Sequence, residues 1–219
     1  MNELLNLPAW LVPGLIVLAS ILAAGIIMER AFKLLVQLKP LEEEELSHFQ
    51  ELLQADSYVP AYEFSEARSK SHPGFSQILP ALERIESDPT GDSEYEMALE
   101  LSQHIAARQL KRYLPTLGTI STISPLLGLL GTVTGMIKSF QAFAETNVQS
   151  NQLMGGIDEA LITTSMGLIV AIPSLIAYNH FVSRANAYFE EANLLSDLLK
   201  QTISEKRQKG EQQHAKAIT

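Results

Sequence analysis

The run from Tyr113 to Ile137 contains no charged residue. At about 1.5 Å per helical residue it is long enough to cross a hydrocarbon layer of ~30 Å. It is not a simple greasy anchor. Thr116, Thr119, Ser121, Thr122, Ser124, Thr132 and Thr134 lie within it, and so do Gly118, Gly128, Gly131 and Gly135. A helix facing lipid on every side gains nothing from so many hydroxyls and glycines. A helix packed against other helices, or lining a polar pathway, does.

Two further uncharged runs flank polar, mostly acidic stretches. The chain of 219 residues is 46% hydrophobic and 19% charged, and its mean hydropathy of +0.07 hides this segregation. The pattern predicts an all-α membrane protein with three transmembrane helices, the second and third extending into the cytoplasm, and a helical cytoplasmic region. A net charge of −9 argues against a nucleic-acid partner. With no cysteine the chain has neither disulfides nor thiol chemistry. The N-terminus lacks the basic region of a cleavable signal peptide.

Residues 1–9 read as a periplasmic lead and 10–29 as the first span. Trp10 serves as interfacial anchor and Pro13 falls in the first turn. Glu29-Arg30, Lys33 and Lys39 follow, so the basic flank places residue 30 inside and the N-terminus outside. Residues 30–112 form the cytoplasmic region. There Glu42–Glu45 opens a helix whose Leu46, Phe49, Leu52 and Leu53 recur at helical spacing. Four glutamates in a row invite a metal reading, but they suit a solvated first turn favoured by the helix dipole, and no metal site is expected. Pro60, Ser71-His72-Pro73-Gly74 and Asp88–Asp92 punctuate further short helices. From Ser93 a helical pattern continues to Leu114, which predicts one helix running from the cytoplasm through the second span, 113–138. Residues 139–157 contain no Lys or Arg and read as a periplasmic loop that breaks at Gly155-Gly156. The third span is 158–183. Residues 184–219 read as a cytoplasmic helical extension whose last ~18 residues are disordered.

Gly128, Gly131 and Gly135 share one face of the second span, and Ala160, Thr164, Gly167 and Ala171 make a similar small face on the third. Both suit close helix packing. The two spans run in opposite directions. Counting from Phe140 and from Glu159, Thr132 and Thr164 lie at depths of roughly 12 and 8 Å. Each hydroxyl either bonds its own helix or lines an aqueous or proton-conducting path. Glu159 is either an acid at the mouth of that path or, with Asp158, a cap on the third helix. No carboxylate lies deep in any span, so if the chain conducts protons, a titrating group inside the membrane is expected from a partner chain.

The segments Leu117–Phe140 and Ile157–Pro173, with Tyr178-Asn179 and Glu29-Arg30, resemble the TolQ/ExbB/MotA proton-channel family, closest to its ExbB and TolQ branches. MotA stators have four spans and a different loop, which sets that branch apart. The resemblance implies a homopentamer in a bacterial inner membrane. It also implies an ExbD- or TolR-like single-span partner that supplies a membrane aspartate, and a TonB- or TolA-like protein that receives the work. By position, Thr132, Thr164 and Glu159 match the family's pore residues. Ser124 and Thr134 depart from its usual alanine and aromatic. The implied function is an ExbB-like subunit energising TonB-dependent transport. The alternatives are a TolQ-like subunit of envelope maintenance or a non-conducting scaffold. No cofactor and no enzymatic activity are expected: His180 lies about 24 Å along the helix from Thr164, too far for hydrolase chemistry.

Overall fold

The computed structural model describes residue 8 and residues 10–55, 57–87, 92–146 and 150–217. Seven α-helices account for nearly all of them: α1 (Leu11–Ala31), α2 (Glu43–Gln54), α3 (Val59–Arg68), α4 (Pro73–Ser87), α5 (Asp92–Leu110), α6 (Leu114–Thr146) and α7 (Ser150–Ala217). A π-helical turn, Phe32–Gln37, follows α1. Among the described residues there is no strand. The chain divides into two compact units, Met1–Ala31 with Tyr113–Val182, and Phe32–Arg112 with Ser183–Thr219. The helix α7 contributes to both.

The first unit is the membrane domain of an all-α membrane protein. Three helical stretches, within Leu11–Gln37, Glu94–Gln141 and Met154–Gly210, are long and apolar enough to span a bilayer. Their outer faces are apolar. Leu18 and Ile21 on α1, Leu126 and Leu129 on α6, and Ile169 and Ile176 on α7 are all exposed. In water such a surface would drive aggregation, whereas lipid removes that cost. Val12, Ile16 and Ala23 of α1 are buried inside the unit.

The second unit has its own apolar core. Phe49 and Leu53 of α2, Phe75, Ile78 and Leu82 of α4, and Leu99 of α5 pack with Leu195, Leu199 and Ile203. The last three fall at four-residue spacing and form one stripe of α7. Phe75 meets Phe49 and Phe64 edge-on at centroid distances of 5.7 and 5.5 Å. Gly74 permits this packing: a Cβ there would lie 2.7 Å from Leu195 Cδ1 and 2.9 Å from Ala192 Cα. Beside it the Gly74 N–H donates to His72 Nδ1 at 3.1 Å. The ring proton therefore sits on Nε2, which donates to Glu191 at 2.9 Å. Burial lowers the His72 pKa, with the Glu191 bond pulling the other way. The Tyr188 hydroxyl donates to the Leu38 carbonyl at 3.0 Å.

The helix expected to open in the Glu42–Glu45 run begins at Glu43, and the punctuation at Pro60 and Ser71–Gly74 coincides with the starts of α3 and α4; Asp88–Gly91 lie outside the described residues. Four expectations change. The helix predicted to run unbroken into the second span stops at Leu110 and restarts at Leu114, with Tyr113 between them at φ 64°. Pro115 favours the break, although Pro80, Pro125 and Pro173 lie inside α4, α6 and α7 without ending them. Pro115 lacks an N–H, and its ring would meet the Lys111 carbonyl of a continuous helix. The Arg30 guanidinium lies 5.5 Å from the Tyr113 ring centroid. The loop expected over 139–157 is mostly helix: α6 reaches Thr146 and α7 begins at Ser150, so Gly155-Gly156 lies inside α7 and breaks nothing. For the same reason Glu159 and Asp158 do not cap α7. Finally, the tail expected to be disordered is helical through Ala217.

Candidate functional site: a small-residue helix pair

The glycine face of α6 meets the small face of α7 within the first unit. A Cβ on Gly135 would lie 3.0 Å from Ala160 Cβ, one on Gly128 2.9 Å from Thr164 Cα, and one on Gly118 3.0 Å from the Tyr178 ring. As positions descend α6 they ascend α7, so the helices are antiparallel. Gly131 abuts the Thr163 methyl and also faces Val12 of α1. The tightest backbone approach is at Gly167, where a Cβ would sit 2.5 Å from the Ser124 carbonyl oxygen. Only glycine lets two backbones come this close.

That approach brings a hydroxyl across the seam. Thr164 Oγ1 donates to the Gly128 carbonyl at 3.0 Å. In a regular helix the same carbonyl accepts the Thr132 N–H, so Thr164 reaches α6 one turn from Thr132. Thr132 itself is only 9% exposed, and its hydroxyl donates within its own helix to Leu129 at 2.8 Å. The structure thus puts both threonines at one level and gives them different bonds. Thr163 donates to the Glu159 carbonyl at 3.1 Å, and Ser124 to Ile120 at 2.7 Å. A hydroxyl that has spent its proton on a carbonyl keeps two lone pairs for an incoming donor.

Glu159 is exposed. It lines a cavity of about 130 Å³ with Val12, Thr134, Lys138, Ser139 and Thr163. Sequence reasoning named Glu159 for this end of the helix pair but missed Lys138, Ser139 and Thr163 as its neighbours. Their helical offsets put them on the α6 and α7 faces that carry Gly135 and Ala160, which was the available signal. Thr119 and Thr122 are exposed on α6, and they donate to the Pro115 and Gly118 carbonyls at 2.9 and 3.0 Å. Ser165 is exposed on α7 and donates to Leu161 at 3.1 Å. No carboxylate occurs within Leu114–Ile137 or Ala160–Val182.

Comparison with known proteins agrees with this architecture. An ExbB-like biopolymer transport protein of Synechocystis is 35% identical over 105 residues, which are 47% of this chain and 50% of that protein. The Tol-Pal system protein TolQ of Haemophilus influenzae is 35% identical over 91 residues, 41% of this chain and 40% of that one. The chain thus spans half or less of these two relatives. The biopolymer transport protein ExbB of Salmonella typhimurium is 31% identical over 180 residues, covering 79% of this chain and 72% of the relative. Residues 70–193, which hold the helix pair and its seam, match the family model described as the MotA/TolQ/ExbB proton channel family, and the chain belongs to that family.

Proposed function

We propose that the chain is an ExbB-like subunit of an inner-membrane motor driven by the proton motive force, energising TonB-dependent transport across the outer membrane. The observation that carries this reading is the bond from Thr164 to the Gly128 carbonyl, made between two apolar segments, 114–137 of α6 and 160–182 of α7, that hold no carboxylate. Such a seam places oriented hydroxyls in the membrane while leaving the ionisable group to a second chain. The proposed partner is an ExbD- or TolR-like single-span protein whose membrane aspartate carries the proton. Five copies of the chain would surround it, with the N-terminus periplasmic and the second unit cytoplasmic. Thr132, Thr164 and Glu159 are the proposed pathway residues. Gly128, Gly131, Gly135 and Gly167 are the proposed packing residues that hold the pathway's wall. Work passes to a TonB-like protein, and no step makes or breaks a covalent bond.

A TolQ-like role in envelope maintenance is the second reading, favoured by the TolQ proteins of Haemophilus influenzae and Pseudomonas aeruginosa among the relatives. The test is proton flux into liposomes holding the chain together with its single-span partner. Flux should need both chains, fall with Thr164→Val and recover with Thr164→Ser. Undiminished flux with Thr164→Val in an intact assembly would refute the role of that hydroxyl and leave the scaffold reading in place. Complementation of siderophore uptake or of detergent resistance then chooses between the TonB and Tol branches.

A further inference from the structure

On α5, Met97, Leu101 and Ile105 recur at four-residue spacing and are 70, 61 and 49% exposed. Glu94, Glu96, Glu100 and Arg108 are interleaved with them, so lipid does not cover this stripe. With Pro80 and Ala98 the three residues floor a groove of about 660 Å³ between α4 and α5. An exposed apolar line of this kind marks a contact surface. Glu100, His104 and Arg108, all exposed, form a charged edge beside it.

The outer face of α7 has the matching parts. Leu194 is 45% exposed, Leu198 beside it is half-buried, and Glu190, Asp197 and Lys200 are exposed. Among the described residues, Glu100, Arg108, Glu190, Asp197 and Lys200 take part in no ion pair. Within the second unit α5 and α7 run antiparallel. Lys111 Nζ lies 5.9 Å from the Phe189 ring centroid, and the Arg207 guanidinium lies 5.4 Å from that of Tyr95. Leu99 packs with Leu195 and Leu199 between these anchors. Interpolation between them brings Glu100 level with Lys200, His104 with Asp197 and Arg108 with Glu190, each to within about 4 Å. Acid meets base at every level, because α5 turns from acidic to basic along the direction in which α7 turns from basic to acidic. Rotation of about 100° per residue adds a second match. When the two faces are laid together antiparallel, both charged edges fall on one side and both apolar edges on the other.

We infer that the α4–α5 groove receives the Leu194–Leu198 ridge of α7 from a second copy of this chain. Copies related by rotation about an axis along these helices keep equivalent residues at one height. The register of α5 against its own α7 is then also its register against the neighbour's. Leu101 and Ile105 meet Leu194 and Leu198. Glu100 pairs with Lys200, Arg108 pairs with Glu190, and the His104 N–H donates to Asp197. Each copy offers its groove to one neighbour and its ridge to the other, a heterologous contact that closes into a ring. Exposed charge pairs of this kind fix register more than they add affinity. The inference rests on the ring assembly proposed above and not on proton conduction.

The chain has no cysteine, so introduced thiols are the only ones present. Ile105→Cys and Leu194→Cys are placed on separate full-length chains with different tags, co-expressed, and treated in isolated membranes with a short bis-maleimide. Each chain then holds one thiol, so any product joins two copies. The mixed dimer should exceed the product of either variant alone by about tenfold, since a heterologous contact keeps like positions apart. It should also exceed the product of Met97→Cys with Leu194→Cys, which lie about 16 Å out of level. Arg108→Glu should lower the yield about fivefold, and Arg108→Glu/Glu190→Arg should restore it, a recovery that a folding defect would not show. If Arg108→Glu does not fold, Glu100→Lys and Glu100→Lys/Lys200→Glu make the same comparison. Native mass spectrometry counts the copies in the same preparation. A ring without the mixed dimer overturns the inference and leaves the assembly standing, whereas monomers alone overturn both. Equal product from the out-of-level pair or from either thiol alone, or no recovery in the charge-swapped chain, would also overturn the inference.

Discussion

Replacing Gly167 with alanine adds one methyl group where the backbone of α6 leaves no room. The new Cβ would lie 2.5 Å from the Ser124 carbonyl oxygen and 3.3 Å from Gly128 Cα. Both neighbours are backbone atoms, so no side chain can swing aside. To restore an ordinary contact of 3.4 Å the helices must separate by about 0.9 Å at that level. Overpacking of this kind costs about 1–3 kcal/mol. Separation also stretches the Thr164–Gly128 hydrogen bond from its 3.0 Å. Bonds of that type between membrane helices contribute about 0.6 kcal/mol on average. The expected total loss is about 2–4 kcal/mol. Gly25→Ala is the control, since a Cβ there meets nothing within 4 Å and helix propensity alone favours alanine by up to about 1 kcal/mol. Unfolding by SDS in mixed micelles, followed by circular dichroism, measures both variants. If Gly167→Ala proves as stable as Gly25→Ala to within about 1 kcal/mol, a threshold below the expected total loss of about 2–4 kcal/mol, the α6–α7 seam is wrong.

Thr164→Val should lose about 0.6–1.7 kcal/mol in the same assay, and Thr164→Ser should recover it. Thr132→Val, which removes only a bond within its own helix, should cost less than Thr164→Val; the reverse order would mean that Thr132 makes the interhelical contact. In the second unit, Tyr188→Phe leaves the Leu38 carbonyl without the hydroxyl at 3.0 Å, a loss of about 1–3 kcal/mol readable by urea unfolding. His72 gives a pH signature. Its folded pKa lies below the ordinary 6.5, so just below pH 6.5 the unfolded chain binds the extra proton. Stability is therefore full above about pH 6.5 and falls as the pH drops below it. His72→Gln should flatten that slope relative to the native chain, and an unchanged slope would place the titration elsewhere.

The proline-marked starts of α3 and α4 and the acidic first turn of α2 follow from local chemistry and could be read from the chain. The break at Tyr113 was legible in principle. Pro115 disfavours a continuous helix there, but Pro80, Pro125 and Pro173 lie inside helices, so a proline alone does not give the break, and the apolar periodicity on either side masked it. Residues 139–157 misled for a different reason. Polar, glycine-bearing sequence resembles a loop, yet a helix already nucleated by the spans on both sides extends through such sequence at little further cost. The polar C-terminal tail was misread in the same way. At the candidate site, Gly128, Gly131, Gly135, Thr132, Thr164 and Glu159 were all named from spacing. The cavity beside Glu159 was not, because it needs residues from three helices at once.

By itself, the sequence determined that three helices could enter a membrane, that two of them carry small faces, and that neither brings its own carboxylate into lipid. Those properties depend on composition and on the 3.6-residue period, which local residues control. Only the tertiary structure decided the offset between α6 and α7, and with it that Thr164 crosses to Gly128 while Thr132 stays on its own helix. Sliding one helix past the other by a turn leaves every local preference unchanged, so the register is chosen by the close approach at Gly167, a contact between residues far apart in the chain.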